Sequence, residues 1–246
     1  MPCVCASVPI ANQANVGTSV GMEVMRWSVI VPLLNEAANI PYLTEHLIES
    51  GADQVILVDG GSTDGTRELL RTVPSHFCVL HSNPGRARQM NAGAGKANHS
   101  VMVFLHADSR LPEHVEQTLN RNAVWGRFDI EFDDASISMR VIAFFINLRS
   151  RISGIATGDQ ALFMTRATFD QVGGFPDQPL MEDIEISKRL RRLSKPLCSR
   201  QRVRTSARRW QQHGVVRTVF KMWWYRFAYW CGVSSHRLKR HYDDTR

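Results

Sequence analysis

The sequence predicts an α/β protein in which crossover helices join a mostly parallel sheet, and a helical appendage follows at the C-terminus. Short β-branched apolar runs alternate with segments whose apolar residues recur at helical spacing, and four such strands fall within residues 27–105. In a chain of 246 residues with 43% hydrophobic content, this alternation is typical of one domain with a large buried core.

The first half alternates strand and helix. Apolar residues Ile40, Leu43 and Leu47 recur at helical spacing before Gly51, and small residues at helical spacing in 85–98 predict a helix packed close to the sheet. The strands are expected at 27–34, 54–58, 77–80 and 101–105. Because ligands bind beyond the carboxyl ends of strands in parallel sheets, the residues at these ends are candidate site residues.

The second half is less regular. It predicts a strand around Phe128–Phe132, a helix over 137–152, a strand over 161–165, a helix opening at Glu182 and an aromatic-rich helix over 215–233. The expected division is a disordered extension over 1–25, a catalytic domain over 26–214 and the appendage over 215–246. The first 25 residues lack the features of a signal peptide, and translation starting at Met22 or Met25 is an alternative.

Charge and cysteine content restrict the partners. The formal net charge of +7 favours an anionic partner, such as a phosphate ligand, nucleic acid or an acidic membrane surface. Five cysteines, without a CxxC pair, indicate neither a disulfide framework nor a zinc site, so the cytosol is the expected compartment.

The stretch VDGGSTDGT, residues 58–66, follows the apolar run QVILV. Glycine-rich turns between a strand and a helix commonly bind phosphate through backbone N–H groups, yet Asp59 and Asp64 would repel phosphate. Two interpretations remain: either the loop is only a sharp turn, or its acids contact another part of a ligand.

Three further polar pairs are expected at the same rim: Asn35 with Glu36, Gly85 with Arg86, and His106 with Asp108. Alternate residues of an extended chain point the same way, so His106 and Asp108 could both bind a divalent cation. The alternative is a structural histidine followed by an aspartate that caps a helix.

Acidic and basic residues lie near two later turns. Glu182 and Asp183 open a helix, where they either cap its N-terminus or include a general base. The run 188–209 contains ten Lys or Arg and no acid, which predicts a solvated helix face followed by a basic loop. Within it, Arg208-Arg209-Trp210, with His213, could close over a diphosphate.

The chain resembles the family-2 glycosyltransferases of the GT-A fold, and within them the radical-SAM/selenodomain-associated subgroup. The resemblance covers most of residues 26–233. The matching segments are SVIVPLLNE (28–36), VDGGSTDGT (58–66), GRARQMNAGA (85–94), FLHADS (104–109), GDQALFMTR (158–166), GGFPDQPLMEDIEISKRL (173–190) and SARRWQQHG (206–214).

The resemblance implies an inverting transfer of a hexosyl or related sugar from a nucleotide-diphosphate sugar to an acceptor hydroxyl. Asp183 would be the base, with Glu182 as the alternative, and Asp59 would contact the nucleobase. A Mg²⁺ or Mn²⁺ ion, held by Asp108, His106 and His213, would neutralise the diphosphate. No nucleic-acid partner is implied. The remaining implied donor-binding residues are Pro32, Asn35, Glu36, Gly61, Arg86, Arg88, Arg208, Arg209 and Trp210.

Two positions depart from the family pattern. His106 replaces the first acid of the Asp-x-Asp metal motif, and imidazole suits Mn²⁺ better than Mg²⁺. Ser206 stands where processive members carry the glutamine of QxxRW, which weakens the case for polymer synthesis.

Two other enzyme classes require loops that this sequence lacks. A sugar nucleotidyltransferase requires a glycine-rich basic loop after the first strand, where this chain has PLLNE. A dinucleotide oxidoreductase requires GxGxxG, where this chain has GGSTDG. A degenerate transferase that serves as a binding or membrane-scaffold protein remains an alternative, although the Glu182-Asp183 pair favours an enzyme.

The segment 215–233 combines many Trp, Tyr and Phe residues with Arg217, Lys221 and Arg226. Three cations within about 20 residues argue against a bilayer span. The helix is expected either to pack in the core or to lie at an anionic membrane surface, with the enzyme peripheral on the cytoplasmic face and the acceptor held in the membrane.

Overall fold

The structure, a computed structural model, describes residues 25–243, without the side chains of residues 209, 212, 213, 216 and 243. The expected extension therefore lies outside the described residues except for Met25, as do the alternative start at Met22 and the side chains of Arg209 and His213.

One eight-stranded sheet forms the centre of the described chain, with the strand order β3-β2-β1-β4-β7-β6-β8-β5. Strand β1 pairs in parallel with β2 and β4, and β2 pairs in parallel with β3. Strand β7 is antiparallel to β4 and β6, and β8 is parallel to β6. The strands are β1 (Trp27–Leu33), β2 (Gln54–Asp59), β3 (Cys78–His81), β4 (Val101–Phe104), β5 (Ser109–Arg110), β6 (Trp125–Phe132), β7 (Leu162–Thr165) and β8 (Leu197–Thr205).

Helices connect the strands and cover both faces of the sheet. The helices are α1 (Ile40–Glu49), α2 (Thr66–Leu70), α3 (Arg86–Ala94), α4 (Glu116–Leu119), α5 (Ile137–Ser153), α6 (Arg166–Val172), α7 (Glu182–Leu193), α8 (Arg208–His213), α9 (Val215–Trp230) and α10 (Ser235–Asp243). A 3₁₀ turn spans Gly158–Gln160.

Alternation along β1 divides the core into two layers. Val29 and Val31 face the cluster that contains Leu43 of α1, while Ile30 faces the cluster that contains Met90 of α3. Because successive strand residues point to opposite faces, a short run of apolar residues can serve both layers. The predicted α/β class with crossover helices is confirmed.

Several predicted boundaries are corrected by the structure. The supposed basic loop that follows α7 is strand β8, in which Val203 and Thr205 point into the protein while Arg202 and Arg204 are exposed. A strand with one solvated face produces this alternation of basic and buried residues. The aromatic helix ends at Trp230, before Gly232 with its positive φ of 89°.

Helix α5 is fixed to β6 by buried polar contacts. Asn147 accepts a hydrogen bond from the N–H of Ile130 at 2.9 Å and donates one to its carbonyl at 3.0 Å. Arg127 is fully buried, pairs with Asp129 and donates to the carbonyl of Asn147 at 3.2 Å. These contacts determine which side of α5 faces the protein.

Helices α9 and α10 pack against the rest of the described chain. Met139 and Ile142 of α5 form a cluster with Trp210, and Val219 and Met222 of α9 pack against it. Tyr225 of α9 donates a hydrogen bond to the carbonyl of His241 in α10 at 2.7 Å. The division into a domain and an appendage at residue 214 stays a prediction.

We expect Gly93→Ala to destabilise the protein, since α3 packs close to the sheet at this residue. A Cβ at Gly93 would lie 2.5 Å from Cγ2 of Ile30 and 3.1 Å from Cγ2 of Val58. Overpacking of this kind costs about 1–3 kcal/mol, which exceeds the gain of about 1 kcal/mol from alanine's helix propensity.

The matched control is Gly95→Ala. There a Cβ would meet only ordinary contacts, the nearest being the carbonyl oxygen of Ala92 at 3.4 Å. Urea unfolding of both variants measures the difference in the free energy of unfolding, and equal stability of the two would refute close packing at Gly93.

Candidate active site

A cleft of about 500 Å³ opens beyond the carboxyl ends of β1 and β4. One wall is the N-terminus of α7, and another is formed by α8 and α9. Among the predicted site residues, those lining this cleft are Pro32, Asn35, Glu36, Arg86, His106, Asp108, Glu182, Asp183, Arg208 and Trp210. The structure thus brings together residues that lie up to 178 positions apart.

The VDGGSTDGT loop holds the neighbouring loop after β1. Asn35 accepts a hydrogen bond from the N–H of Thr63 at 2.8 Å, and its own N–H donates to Ser62 Oγ at 2.9 Å. Asp64 accepts from the N–H of Ala37 at 3.1 Å and from the hydroxyl of Thr66 at 2.6 Å. The hydroxyls and Asp64 therefore fix Asn35 and Glu36 at the edge of the cleft.

The glycine turn makes room for a buried amide. The side chain of Gln89 donates hydrogen bonds to the carbonyls of Leu33, at 2.6 Å, and Val58, at 2.9 Å, so it joins the ends of β1 and β2. A Cβ at Gly60 would lie 2.7 Å from Cδ of Gln89. Gly61 has a φ of +100°, a backbone conformation that favours glycine.

Asp59 is buried at the end of β2, outside the cleft lining. Its carboxylate accepts hydrogen bonds from Arg67 Nε at 2.9 Å and from the N–H of Ser62 at 3.0 Å, and it lies 3.3 Å from Nδ1 of His81. Burial by itself would raise the pKa of Asp59, but hydrogen bonds with Ser62, Arg67 and His81 lower it to about 2. Nucleobase contact by Asp59 stays a prediction, and it requires Arg67 to move.

Arg86 and Arg88 have different surroundings. Arg86 lines the cleft and donates to Glu182 at 3.3 Å. Burial opposes its charge, but the carboxylates of Glu182 and Asp183 raise its pKa, so it stays a cation. Arg88 instead points to the turn before α7, where it donates to Asp177 at 2.8 Å. Donor binding by Arg88 stays a prediction.

Asp183 is oriented by two backbone N–H groups. Oδ1 accepts from the N–H of Ile184 at 2.8 Å, and Oδ2 accepts from the N–H of Gly158 at 3.1 Å. Burial and the charge of Glu182 raise the pKa of Asp183, although Arg226, Arg86 and the Gly158 hydrogen bond oppose the rise. A fixed carboxylate with a raised pKa that lines a cleft can accept a proton from a bound hydroxyl.

His106, which follows β4, contacts the carboxylate of Asp159. Its Nδ1 lies 3.2 Å from Oδ1 of Asp159, while its Nε2 is buried without a hydrogen-bond partner and packs against Gly158. A Cβ at Gly158 would overlap the His106 ring. Asp108 and Asp159 both line the cleft. Among the side chains that the structure describes, which do not include His213, no cluster of three or more His, Cys, Asp or Glu residues is arranged to hold a metal ion.

Helices α8 and α9 supply a basic wall. Arg208 is exposed and lines the cleft, whereas Trp210 is mostly buried against Phe132, with ring centroids 5.8 Å apart. Arg226 of α9 also lines the cleft. From the sequence, the helix that contains Arg226 is expected either to pack in the core or to lie at a membrane surface, and Asp159 is not among the predicted site residues. The helical spacing of Met222, Tyr225 and Arg226 is a signal for an inward face.

A family model supports the interpretation of this cleft. Residues 28–149, from β1 into α5, match the model described as glycosyl transferase family 2. The match shows that this part of the chain is similar to glycosyl transferase family 2. The matched segment contains the loops that carry Asn35, Glu36, Arg86, His106 and Asp108.

Curated relatives align with parts of the chain. A PGL/p-HBAD biosynthesis glycosyltransferase of Mycobacterium bovis is 31% identical over 37% of this chain. The aligned part covers 39% of the length of that relative. Glycosyltransferase AglE of Haloferax volcanii is 25% identical over 66% of the chain and 60% of its own length. An undecaprenyl-phosphate 4-deoxy-4-formamido-L-arabinose transferase of Proteus mirabilis is 29% identical over 37% of this chain. That alignment covers 31% of the length of the relative.

Solved structures share the fold. TarS of S. aureus, in complex with UDP, superposes with a TM-score of 0.59 at 18% identity, over 74% of this chain and 60% of that chain. The mannosyltransferase PcManGT of Pyrobaculum calidifontis, in complex with GDP-Man and Mn²⁺, superposes with a TM-score of 0.56 at 20% identity. The superposition covers 73% of this chain and 56% of that chain. The predicted GT-A fold is confirmed.

We expect Asp59→Asn to destabilise the protein in a pH-dependent way. A carboxyl whose pKa is lowered by folding contributes stability above its unfolded pKa of about 3.8, and this contribution disappears as pH falls through the folded pKa of about 2. The difference in the free energy of unfolding should be about 2 kcal/mol near neutral pH and should shrink below pH 4.

Urea unfolding of both proteins at several pH values between 3 and 7 measures this difference. Asp170→Asn, a substitution at an exposed acid on α6, is the control. A difference that stays constant over the whole range would mean that the charge of Asp59 does not stabilise the loop.

Proposed function

We propose that the protein is an inverting glycosyltransferase that moves a hexosyl or related sugar from a nucleotide-diphosphate sugar to an acceptor hydroxyl. The observation that carries the proposal is the carboxylate of Asp183, fixed by the N–H groups of Ile184 and Gly158 at a cleft of about 500 Å³. A cleft of this volume is within the range for small-molecule sites.

In the proposed step, the acceptor oxygen attacks the anomeric carbon from the face opposite the diphosphate. A bond forms between that oxygen and the sugar, the bond to the diphosphate oxygen breaks, and the acceptor proton passes to Asp183. The alternative base, Glu182, is less suited, because its side chain is nearly fully buried and accepts a hydrogen bond from Arg86.

The donor would lie along the carboxyl ends of β1 and β4, against Pro32, Asn35 and Glu36. Arg86 and Arg208 carry the positive charge that suits a departing diphosphate. The side chains of Arg209 and His213, also expected here, lie outside the described residues.

A divalent cation fits the acids of the cleft better than it fits the histidine. Mg²⁺ and Mn²⁺ prefer carboxylate oxygens, which Asp108 and Asp159 supply. His106 remains a predicted ligand, yet one ring nitrogen faces Asp159 and the other packs against Gly158. The bound cation would supply positive charge to the diphosphate, with His106 orienting Asp159.

A peripheral location on the inner face of the membrane is also proposed, with no nucleic-acid partner. No described helix is long and apolar enough to cross a membrane. The outer face of α9 exposes Trp223, Trp224 and Trp230, each by more than 60%. Indole side chains favour the headgroup level of a bilayer.

We expect Asp183→Asn to lower turnover by about 10²–10⁴-fold, since the amide keeps the shape but accepts no proton. Sugar transfer from the best donor of a nucleotide-sugar panel is the measurement, and donor affinity should change little. Glu182→Gln tests the alternative base, and Asp170→Asn is the control. Near-normal transfer by Asp183→Asn would remove the proposed role.

The pH profile gives a second readout of Asp183. Because its pKa is raised above the ordinary value of 3.8, the base becomes protonated at a higher pH than an exposed aspartate does. Turnover should therefore decline as pH falls, with an apparent pKa above 3.8.

We expect Asp108→Ala to abolish the part of donor binding that depends on a divalent cation. Calorimetric titration of the nucleoside diphosphate, with Mn²⁺ and with a chelator, measures this part directly. Asp170→Ala is the control, because it removes the same charge as Asp108→Ala at a site remote from the cleft. Undiminished Mn²⁺-dependent binding by Asp108→Ala would contradict the assignment.

A further inference from the structure

Two helices expose apolar faces that the sheet does not cover. On α5 and α9 the outward residues recur at helical spacing, whereas the inward residues pack against Trp210. A surface helix in water normally shows the opposite arrangement, with its polar side outward. The exposed residues are Ile137, Val141, Phe144, Phe145, Leu148 and Ile152 on α5, and Phe220, Trp223, Trp224, Phe227 and Trp230 on α9.

The inner sides of the two helices share one hydrophobic cluster. Met139 and Ile142 of α5 share a cluster with Val219 and Met222 of α9, so the two helices lie in one layer and turn their other sides outward. Most of the exposed large apolar side chains in residues 25–243 lie on this pair of helices. Large exposed apolar faces on a protein surface mark interaction sites.

The composition of this surface favours an anionic membrane over a protein partner. Neither α5 nor α9 contains Asp or Glu, while Arg140 and Arg217 are exposed beside the apolar residues. Trp residues together with flanking cations are typical of helices that lie at the headgroup level of anionic bilayers.

The same helices supply arginines at the cleft. Arg226 lines the cleft and is attracted by Asp183 and Asp159, yet within the described residues no carboxylate lies within ion-pair distance of it. Arg149 of α5, which does not line the cleft, has Nε and Nη2 buried without a hydrogen-bond partner, and burial and the charge of Arg226 lower its pKa to about 10. A mostly buried guanidinium group without an ion-pair partner favours an anion in the cleft beside it.

We propose that α5 and α9 dock on an anionic bilayer, and that the acceptor is an anionic lipid whose charged headgroup enters the cleft at Arg226. The proposal rests on the glycosyl transfer proposed above. The hydroxyl that attacks the sugar belongs to the lipid headgroup, and its proton passes to Asp183.

The docking surface is tested on α5, where the sequence alone did not suggest a membrane contact. Phe144→Ser/Phe145→Ser should lower the fraction that co-sediments with phosphatidylglycerol-containing vesicles by about tenfold. Tyr42→Ser/Ile48→Ser on α1 is the matched control, because these residues are exposed by 62% and 57% against 60% for each phenylalanine. Wild-type protein should bind pure phosphatidylcholine vesicles less, and high salt should weaken its binding.

Equal sedimentation of the α5 variant and the control would overturn the docking surface, as would absence of wild-type binding at low salt. Circular dichroism checks that each variant is folded. The vesicle measurement needs no sugar donor, so it stands apart from the outcome for glycosyl transfer. If no nucleotide sugar is bound or hydrolysed by the wild-type protein, the proposed function fails instead.

The headgroup site is tested with soluble probes. Arg226→Gln should weaken binding of dihexanoyl phosphatidic acid about tenfold, while affinity for the nucleoside diphosphate is kept. Arg121→Gln, at an exposed arginine remote from the cleft, is the control for the loss of one charge. Inorganic phosphate is the third ligand, and it should bind more weakly than the lipid.

Two results would overturn the headgroup assignment. If Arg226→Gln loses affinity for the nucleoside diphosphate and not for the lipid, Arg226 belongs to the donor site. If inorganic phosphate binds as tightly as the lipid, the site recognises a free anion.

Discussion

Gly158 connects the three segments on which the proposed chemistry depends. Its N–H orients Asp183 at the start of α7, and its missing side chain leaves space for His106 at the end of β4. His106 in turn contacts Asp159, the next residue after Gly158. A side chain at this position would separate the segments, so one close backbone approach determines both the proposed base and the acids proposed to bind the cation.

The charges around this junction oppose and stabilise one another. Asp183 and Glu182 carry like charges on adjacent residues, which raises the pKa of Asp183, while Arg86 and Arg226 limit the rise. Arg86 is bonded to Glu182, whereas Arg226 has no such bond among the described contacts. Arg226 is therefore available to a substrate group, which is why an anion at Arg226 explains the arrangement better than a structural ion pair does.

Period and turn signals were sufficient to predict most of the sheet, because buried parallel strands are short apolar runs bounded by polar residues. They failed at β8, where alternate arginines on a solvated strand face resemble a basic loop in the sequence. At the site, the rule that ligands bind beyond the carboxyl ends of parallel strands predicted that Asn35, Arg86 and Asp108 lie together, and all three line the cleft. It could not show that Asp59 is enclosed by Arg67, because that contact depends on how α2 folds back over the strand end.

The C-terminal helix shows why amphipathic patterns require a structure. From the sequence, the aromatic residues and cations of α9 formed one set directed at lipid, with a buried core helix as the alternative. The structure separates this set into two faces: Tyr225 and Arg226 turn inward, and Trp223 and Trp224 turn outward. Exposure of an apolar helix face to water is unfavourable, whereas burial of that face in a bilayer is favourable. The partner face on α5, held in orientation by Asn147, is fixed by polar contacts with β6 and not by its own apolar residues. This outward orientation is therefore a property of the folded sheet, and a bilayer in contact with it would lie beside the cleft that Arg226 lines.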